Sequence, residues 1–287
     1  MSVRTAVLPV AGRGTRFLPV TKAVPKEVLP LVDRPCIEYV VAEAVEAGIE
    51  KIVFVTASGK DALVNYFLPD RALEEFLDQA GKADLLAEVR RVSSLAQVIP
   101  VYQNEALGLG HAVLQAREAV GDVPFAVMLG DDIIDAKTPA IAQLMDGYRD
   151  GEANVALMEV PREETYRYGV CAGEMVTADR MRVSHMVEKP PPEEAPSNFA
   201  IVGRYVLPPE IWDMLANTQE GAGGEIQLTD AIAELAGLGR VEGRVFEGQR
   251  FDTGNVIGLV RASIHYALKR PELQGPMRDV LQEFQGR

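Results

Sequence analysis

A glycine-rich loop near the start of the chain carries side chains whose types and spacing could bind phosphate. The loop Ala11–Arg16 reads AGRGTR, and Lys26 follows ten residues after Arg16. Gly12 and Gly14 have no Cβ, so backbone N–H groups can approach an anion and form a nest around its oxygens. Arg16 can bind a phosphate through two parallel hydrogen bonds, whereas Lys26 supplies a point charge. The loop therefore predicts a phosphate-binding site.

The same loop departs from two common nucleotide-binding patterns. Phe17 stands where the dinucleotide fingerprint GxGxxG needs its third glycine, and the GK[ST] ending of a P-loop is missing. These departures disfavour an NAD-dependent oxidoreductase and a P-loop NTPase. A tight turn with solvated arginines is the alternative that involves no ligand.

Three aspartates at predicted strand ends could hold a divalent cation. Asp131 and Asp132 follow the apolar run Phe125–Leu129, and Asp252 ends a second strand shortly before Gly254. Proteins bind Mg²⁺ through one or two carboxylates together with phosphate oxygens and water. As an isolated feature, however, an Asp-Asp pair at a strand end is more often a turn or a helix cap. The aspartates alone therefore leave both interpretations open.

An adjacent acid and base end a predicted strand in the second half of the chain. Glu188 ends the run Arg182–Glu188, and Lys189 follows it directly before Pro190. The carboxylate could accept hydrogen bonds from sugar hydroxyls, and the ammonium group could hold a phosphate. Most such pairs are solvated surface elements, so this one gains weight only from its context.

Alternating strands and helices would position these residues in the first half. The predicted strands are Thr5–Val10, Lys51–Thr56, Val98–Gln103 and Phe125–Leu129, and the predicted helices are Ile37–Ala47, Ser58–Phe67 and His111–Val120. This alternation is typical of a parallel sheet covered by helices on both faces, whose ligands bind at the carboxyl ends of the strands. The charged stretch Asp70–Val92 predicts a helical insertion at the periphery.

The second half has more strands and fewer helices. The predicted strands are Asn154–Val160, Gly169–Glu174, Arg182–Glu188 and Asn198–Leu207, and helices are expected at Pro209–Ala216, Gln227–Ala236, Asn255–Lys269 and the C-terminus. Prolines at 190–192 and 196 indicate a stiff surface loop and not a linker between domains. We therefore predict an α/β fold over 1–287, with a Rossmann-like mixed, mainly parallel sheet flanked by helices and a small β-rich extension.

Composition limits the partners that the chain can have. The net charge of −13 argues against nucleic acid or an anionic membrane surface as a partner. No segment approaches the ~20 apolar residues of a membrane span, and Met1–Arg4 leads into a strand without a signal-peptide pattern. Cys36 and Cys171 are too few for a disulfide framework and indicate free thiols in a reducing cytosol. We expect a cytoplasmic protein that concentrates its positive charge locally.

A series of motifs resembles the sugar-1-phosphate nucleotidyltransferases. In order, they are Gly12–Pro19 (GRGTRFLP), Pro25–Leu31 (PKEVLPL), Gly108–Val113 (GLGHAV), Val187–Pro190 (VEKP), Ala200–Tyr205 (AIVGRY), Gly224–Asp230 (GEIQLTD) and Asp252–Asn255 (DTGN). The first motif is shared across several nucleotide and sugar specificities. The later motifs, together with the helical insertion, resemble the bacterial UTP–glucose-1-phosphate uridylyltransferases over nearly the whole chain.

The resemblance implies a role for each candidate residue. It assigns nucleotide binding to Ala11, Gly12, Gly14, Thr15, Arg16, Lys26, Gln103 and Gly108, sugar-phosphate binding to Gly169, Glu188 and Lys189, metal binding to Asp131 and Asp252, and catalysis to Arg16, Lys26 and Lys189. Gln103 would use its amide as both donor and acceptor on the edge of uracil. His111 opens a predicted helix, where packing or capping is the more common role of a histidine.

The same resemblance implies a reaction. UMP would pass from UTP to glucose 1-phosphate, giving UDP-glucose and pyrophosphate by Mg²⁺-assisted in-line displacement without a covalent intermediate. Residues 1–135 would form the nucleotide-binding half of a single domain, and 136–287 the sugar-phosphate half with the C-terminal helices. A homodimer or homotetramer is expected. The alternatives are a glucose-1-phosphate thymidylyltransferase and a non-catalytic regulator that binds nucleotide sugars.

Overall fold

The computed structural model describes residues 2–285. The strands are β1 Thr5–Pro9, β2 Pro30–Leu31, β3 Arg34–Pro35, β4 Lys51–Thr56, β5 Gln97–Tyr102, β6 Phe125–Met128, β7 Asp132–Asp135, β8 Ala153–Glu159, β9 Gly169–Met175, β10 Arg180–Glu188, β11 Phe199–Leu207, β12 Val241–Val245 and β13 Gln249–Asp252. The α-helices are α1 Cys36–Glu46, α2 Asp61–Asn65, α3 Arg71–Gln79, α4 Ala83–Ser93, α5 Leu109–Gln115, α6 Arg117–Val120, α7 Ala140–Met145, α8 Ile211–Asn217, α9 Leu228–Gly237, α10 Val256–Lys269 and α11 Pro271–Gln285. Short 3-10 helices lie at Thr15–Phe17, Val20–Lys22, Lys26–Val28, Arg162–Arg167 and Ala222–Gly224.

One mixed sheet runs through both halves of the chain. Its strand order is β5-β4-β1-β6-β11-β8-β12-β10-β9. The four strands from the first half, β5, β4, β1 and β6, are all parallel. Strand β11 joins β6 antiparallel, and antiparallel pairs dominate from there outward, with β8 and β12 as the parallel exception. The predicted α/β class is confirmed, and the β-rich extension continues the same sheet.

Helices cover both faces of this sheet, as predicted. Alternate residues of β1 point to opposite faces, so Val7 joins one buried cluster while Ala6 and Leu8 join the other. The first cluster includes side chains of α5, α8 and α9, where the rings of Phe125 and Trp212 stack with their centroids 4.3 Å apart. The second includes side chains of α1, α2, α7 and α10.

Several elements differ from the prediction for local reasons. The helix expected over Ser58–Phe67 is the single short helix α2, and the one expected over His111–Val120 begins at Leu109 and divides at Ala116 into α5 and α6. The insertion contains two helices, α3 and α4. Strand β12 was not predicted because Glu242, Gly243 and Arg244 interrupt its apolar pattern, and α7 is too short to show a helical period.

The sequence predicts two free thiols, and the structure agrees. Cys36 and Cys171 are both free and buried. Across residues 2–285, none of the helices is both long enough and apolar enough to cross a membrane.

Candidate active site

Two adjoining cavities lie at the carboxyl ends of the central strands. The first, here called the loop cavity, has a volume of about 1010 Å³ and is lined by the glycine-rich loop and by Gln103. The second, the carboxylate cavity, has a volume of about 810 Å³ and contains Asp131 and Asp252. Gly12, Thr15 and Lys26 border both. The loop cavity is also lined by Ala11 and Gly108. The carboxylate cavity is also lined by Gly14, Arg16, Gly169, Glu188 and Lys189. Every residue predicted for the site therefore lines one or both cavities.

The glycine-rich loop owes its shape to Gly14. Its φ of 63° lies in the left-handed region, and a Cβ there would stand 3.1 Å from Thr21 Cγ2 and 3.2 Å from Lys26 Cβ. Thr21 Oγ1 also donates a hydrogen bond to the Gly14 carbonyl at 2.9 Å. A Cβ on Gly12, by contrast, would meet nothing within 4 Å. Gly14 thus packs the loop against Lys26, and Gly12 leaves its backbone open to the cavities.

Lys26 and Asp131 form an ion pair between the two cavities. Lys26 Nζ lies 2.6 Å from Asp131 Oδ2. Burial opposes the charge on each group, but the attraction between them outweighs it. The pKa of Lys26 is therefore raised and the pKa of Asp131 is lowered from their ordinary values. Both groups are charged at neutral pH.

The carboxylates of Asp131 and Asp252 converge on one point beside Gly254. Strands β7 and β13 pair antiparallel, and Thr253 donates from its N–H and its hydroxyl to the Asp131 carbonyl at 2.8 and 2.9 Å. A Cβ on Gly254 would lie 2.6 Å from Asp131 Oδ2 and 3.0 Å from Asp252 Oδ1. Asp252 Oδ2 accepts a hydrogen bond from Arg167 at 3.2 Å. Two carboxylates that approach each other beside a residue without a side chain suit a hard cation that completes its shell with phosphate and water.

Protein ligands for a cation are otherwise scarce. No group of three or more His, Cys, Asp or Glu side chains that could hold a metal ion occurs in the part of the chain that the structure describes. A cation bound by Asp131 and Asp252 would therefore need the substrate's phosphates to complete its shell, which is the usual arrangement for Mg²⁺.

Asp132 has a structural role that its neighbour does not share. Its Oδ1 accepts a hydrogen bond from Arg250 Nε at 2.7 Å, and its Oδ2 accepts one from the Gly203 N–H at 3.0 Å. Arg250 also donates to the Tyr168 hydroxyl at 3.3 Å. The second aspartate therefore ties β7 to β11 and β13, while Asp131 faces Lys26.

A fully buried ion pair supports this region from behind. Arg204 Nη2 lies 2.6 Å from Glu43 Oε2, and its Nε lies 2.9 Å from Glu43 Oε1. The same guanidinium donates to the carbonyls of Asp132 at 2.8 Å and Gly203 at 2.8 Å. Sequence reasoning missed this pair, although an arginine inside the apolar run of β11 was a signal for it.

Thr229 orients the predicted sugar-binding carboxylate. Its hydroxyl donates to Glu188 Oε2 at 2.6 Å, and Lys189 Nζ lies 3.2 Å from Glu188 Oε1. A Cβ on Gly169 would lie 2.8 Å from Thr229 Oγ1 and 3.0 Å from Glu188 Oε2. Gly169 thus gives Thr229 and Glu188 room to meet at the wall of the carboxylate cavity. Thr229 was not predicted because it lies 41 residues from Glu188 in the sequence.

Gln103 and Gly108 belong to one hydrogen-bonded loop of the loop cavity. Gln103 Nε2 lies 3.3 Å from the Gly108 carbonyl oxygen and 2.9 Å from His111 Nδ1. Gly108 has a φ of 108°, and a Cβ there would lie 2.6 Å from the Ile226 carbonyl oxygen. The amide nitrogen is therefore engaged within the protein, whereas the sequence suggested that both ends of the amide would serve a ligand.

Lys60 is a further charged group that sequence reasoning missed. Its Nζ lies 3.1 Å from Glu27 Oε2 and donates to the carbonyl oxygen of Val10. Burial raises the pKa of Glu27 and lowers the pKa of Lys60. Lys60 thereby fastens the end of β1 to the segment that carries Lys26, which gives Glu27 a structural partner.

Comparisons with known proteins find relatives along nearly the whole chain. A family model described as Nucleotidyl transferase matches residues 5–268. A UTP--glucose-1-phosphate uridylyltransferase of Staphylococcus epidermidis is 48% identical over 283 residues, covering 98% of each chain. A UTP-bound UGPase structure from Acinetobacter baumannii is 43% identical, with a TM-score of 0.90, and the match covers 98% of this chain and 99% of that one. A UDP-glucose pyrophosphorylase complexed with UDP-glucose is 39% identical, with a TM-score of 0.85, over 93% of this chain and 100% of that one.

These matches include the whole of both cavities. Residues 5–268 contain every predicted site residue, and the relatives extend along nearly the full chain. Enzymes of this family generally use a divalent metal ion. The chain belongs to the nucleotidyl transferase family, in the branch of the UTP–glucose-1-phosphate uridylyltransferases.

Proposed function

We propose that this protein transfers UMP from UTP to glucose 1-phosphate, forming UDP-glucose and releasing pyrophosphate. The observation that carries the proposal is the junction of the two cavities at Lys26 and Asp131, with a phosphate-type loop on one side and Glu188 and Lys189 on the other. The names of the relatives support the same reaction, and two solved relatives are described as bound to UTP and to UDP-glucose.

The chemistry is a direct displacement at phosphorus. An oxygen of the sugar phosphate attacks the α-phosphorus of UTP, the bond to the β-phosphate oxygen breaks, and pyrophosphate leaves with its electron pair. The attacking phosphate is already ionised at neutral pH, so no general base is required. Burial raises the pKa of both Cys36 and Cys171 to about 12. Because only the thiolate is a nucleophile, neither cysteine serves as one at neutral pH. The protein contributes position and charge.

Each predicted residue has a place in this arrangement. Arg16 and Lys26 hold the triphosphate, and Lys189 holds the phosphate of the sugar. Glu188 accepts hydrogen bonds from the sugar hydroxyls, and Gly169, which has no side chain, lets the sugar approach the backbone. The remaining nucleotide contacts come from Ala11, Gly12, Gly14, Thr15, Gln103 and Gly108, all of which line the cavities.

Mg²⁺ is the proposed cofactor. Asp131 and Asp252 would hold it, since their carboxylates converge on the same point beside Gly254. The bound cation supplies charge neutralisation at the α-phosphate. Lys26 and Arg167, which now pair with these carboxylates, provide cationic groups for the phosphates around them.

Domain organisation, assembly and location complete the proposal. The chain acts as one domain, with the nucleotide in the half formed by 1–135 and the sugar phosphate in the half formed by 136–287. It assembles as a homodimer or homotetramer, which the exposed Val256, Ile257 and Val260 of α10 support. The two free, buried cysteines favour the cytoplasm as its compartment.

A nucleotide panel tests the reaction. Pyrophosphate release is measured with Mg²⁺ and glucose 1-phosphate, and UTP, dTTP, CTP, ATP and GTP are offered in parallel. A strong preference for UTP that chelation abolishes is the expected result. A preference for dTTP would indicate a thymidylyltransferase, and no release from folded protein with a panel of sugar phosphates would indicate a binding protein.

A further inference from the structure

His111 lies between two carboxamides at the edge of the loop cavity. Its Nδ1 is 2.9 Å from Gln103 Nε2, and its Nε2 is 3.1 Å from Gln115 Nε2. The residue is partly buried on the first turn of α5. Its ring therefore does not cap the helix but bridges a residue of the cavity wall to the next turn of the helix.

The contacts of Gln103 determine which way this chain of hydrogen bonds runs. The Gly108 carbonyl, 3.3 Å from one end of the Gln103 amide, can only accept, so that end must be the NH₂ group. The same NH₂ group faces His111 Nδ1, which must then be the unprotonated nitrogen of a neutral ring. The proton consequently lies on Nε2. Gln115 accepts it through its amide oxygen once its amide is turned end for end, since the two ends of an amide are assigned by their partners. That turn gives up only the 3.4 Å contact between Gln115 Nε2 and the His111 carbonyl oxygen.

This arrangement leaves one end of the Gln103 amide for a ligand. Gln103 lines the loop cavity, and within residues 2–285 no donor contacts its Oε1. The group presented to the cavity is therefore a hydrogen-bond acceptor. Uracil offers a donor at N3, whereas cytosine has an acceptor at that position, so a fixed acceptor discriminates between the two bases.

We propose that His111 is a positioning residue that holds the Gln103 amide with its oxygen toward the nucleotide and thereby selects uracil over cytosine. The proposal rests on the proposed function, because it takes Gln103 to contact the base. Without an acceptor at position 111 only the longer contact with the Gly108 carbonyl, 3.3 Å, still holds the NH₂ group. The Gln103 amide can then rotate and offer its NH₂ group to the base, which suits cytosine. The wrong base leaves a buried polar group of the site without a hydrogen bond, and the cost of that loss makes the selection effective.

Substitution of His111 tests this role through base selectivity. In His111→Leu, which has no acceptor, the ratio of kcat/KM for UTP to that for CTP should fall about tenfold or more. The change should lie mainly in KM for UTP. In His111→Asn the ratio should recover, because Asn Oδ1 branches from Cγ as His Nδ1 does. His185→Leu, at an exposed position of β10, is the matched control and should keep the wild-type ratio.

Gln115 provides a second test that leaves His111 in place. Gln115→Glu retains an acceptor for Nε2–H and should keep the selectivity, whereas Gln115→Leu should reduce it. The tautomer can also be read directly from the imidazole ¹⁵N signals at about pH 8, where histidine is ordinarily neutral. The signal that disappears in His111→Asn should show the Nε2–H form. The Nδ1–H form would overturn the proposal even in protein without activity.

The outcomes separate this proposal from the proposed function. If wild-type protein makes no UDP-glucose, the proposed function fails, and the tautomer measurement still decides the orientation of the amide. If wild-type protein prefers UTP, Gln103→Ala loses that preference and His111→Leu keeps it, the proposed function stands and the role of His111 is refuted.

Discussion

The two cavities are built in different ways. The loop cavity is shaped in large part by backbone: Gly59 and Gly108 adopt positive φ, and the Gly110 N–H donates to the Ile226 carbonyl behind the loop. The carboxylate cavity is shaped by charged side chains that pair with one another, above all Lys26 with Asp131 and Arg250 with Asp132. Substitutions in the first cavity should therefore act through chain geometry, and those in the second through charge.

The largest expected effect is the loss of the carboxylate that pairs with Lys26, a residue that lines both cavities. Asp131→Ala removes a proposed metal ligand and the partner of Lys26, so kcat should fall by about 10³-fold or more while the fold persists. Steady-state kinetics and circular dichroism check this together. Asp146→Ala, which changes an aspartate side chain that is 74% exposed, is the control and should leave kcat unchanged. Near wild-type turnover in folded Asp131→Ala would show that catalysis does not require this carboxylate.

A glycine substitution should distort the loop cavity without changing any charge. In Gly108→Ala the new Cβ would stand 2.6 Å from the Ile226 carbonyl oxygen, so the loop must move and kcat/KM for UTP should fall about 100-fold. Gly121→Ala is matched to it, with a φ of 80° but nothing within 4 Å of the added Cβ. That control should lose stability and keep its KM for UTP. Equal KM values in the two variants would contradict a cavity shaped by its backbone.

The buried pair of Glu43 and Arg204 should affect folding more than chemistry. Their side chains are 7% and 0% exposed, so Arg204→Met leaves a buried carboxylate without its ionic partner and should cost about 3–5 kcal/mol in the free energy of unfolding. The double substitution Glu43→Leu with Arg204→Met should recover part of this loss. Arg4→Met, in an exposed pair with Glu50, should cost less than about 1 kcal/mol. Urea titrations measure all three.

The smallest expected effect is a pH dependence at the outer edge of the charged region. Burial would raise the pKa of Asp135, but its hydrogen bonds with Lys269 and His265 outweigh burial and lower it. A lowered folded pKa means that the stabilisation is present above about pH 4 and is lost as pH falls through the folded value. The stability difference between wild type and Asp135→Asn should therefore be about 1 kcal/mol at neutral pH and shrink under acid. A stability difference that grows as the pH falls would contradict a lowered pKa for Asp135.

The contrast between the cavities also explains what the sequence could predict. Strands β1, β4 and β6 are buried apolar runs, and the glycine-rich loop follows one of them directly, so local pattern located the loop cavity. The ion pair of Glu43 and Arg204 joins residues 161 positions apart, and Arg250 reaches Asp132 across 118. No local period encodes such partners, because they are brought together only by the order of the strands.

Some local features were missed for other reasons. His111 was expected to pack or cap at a helix end, but its ring position depends on the loop from Gln103 to Gly108, which has no regular pattern. Lys60 is a single charge within a weakly helical stretch, and only the fold reveals its contact with Glu27. Sequence reasoning thus found the residues proposed to touch substrate more readily than those that hold them in place.

The stereochemical course at phosphorus tests the central claim most directly. UTP with one α-phosphate oxygen replaced by sulfur, in a single configuration, is incubated with glucose 1-phosphate and a divalent cation, and the configuration of the UDP-glucose product is determined. Direct in-line displacement predicts a product with inverted configuration at the α-phosphorus. Retained configuration would show a covalent intermediate on the protein, and absence of the product with sulfur-free UTP as well would contradict the proposed transfer.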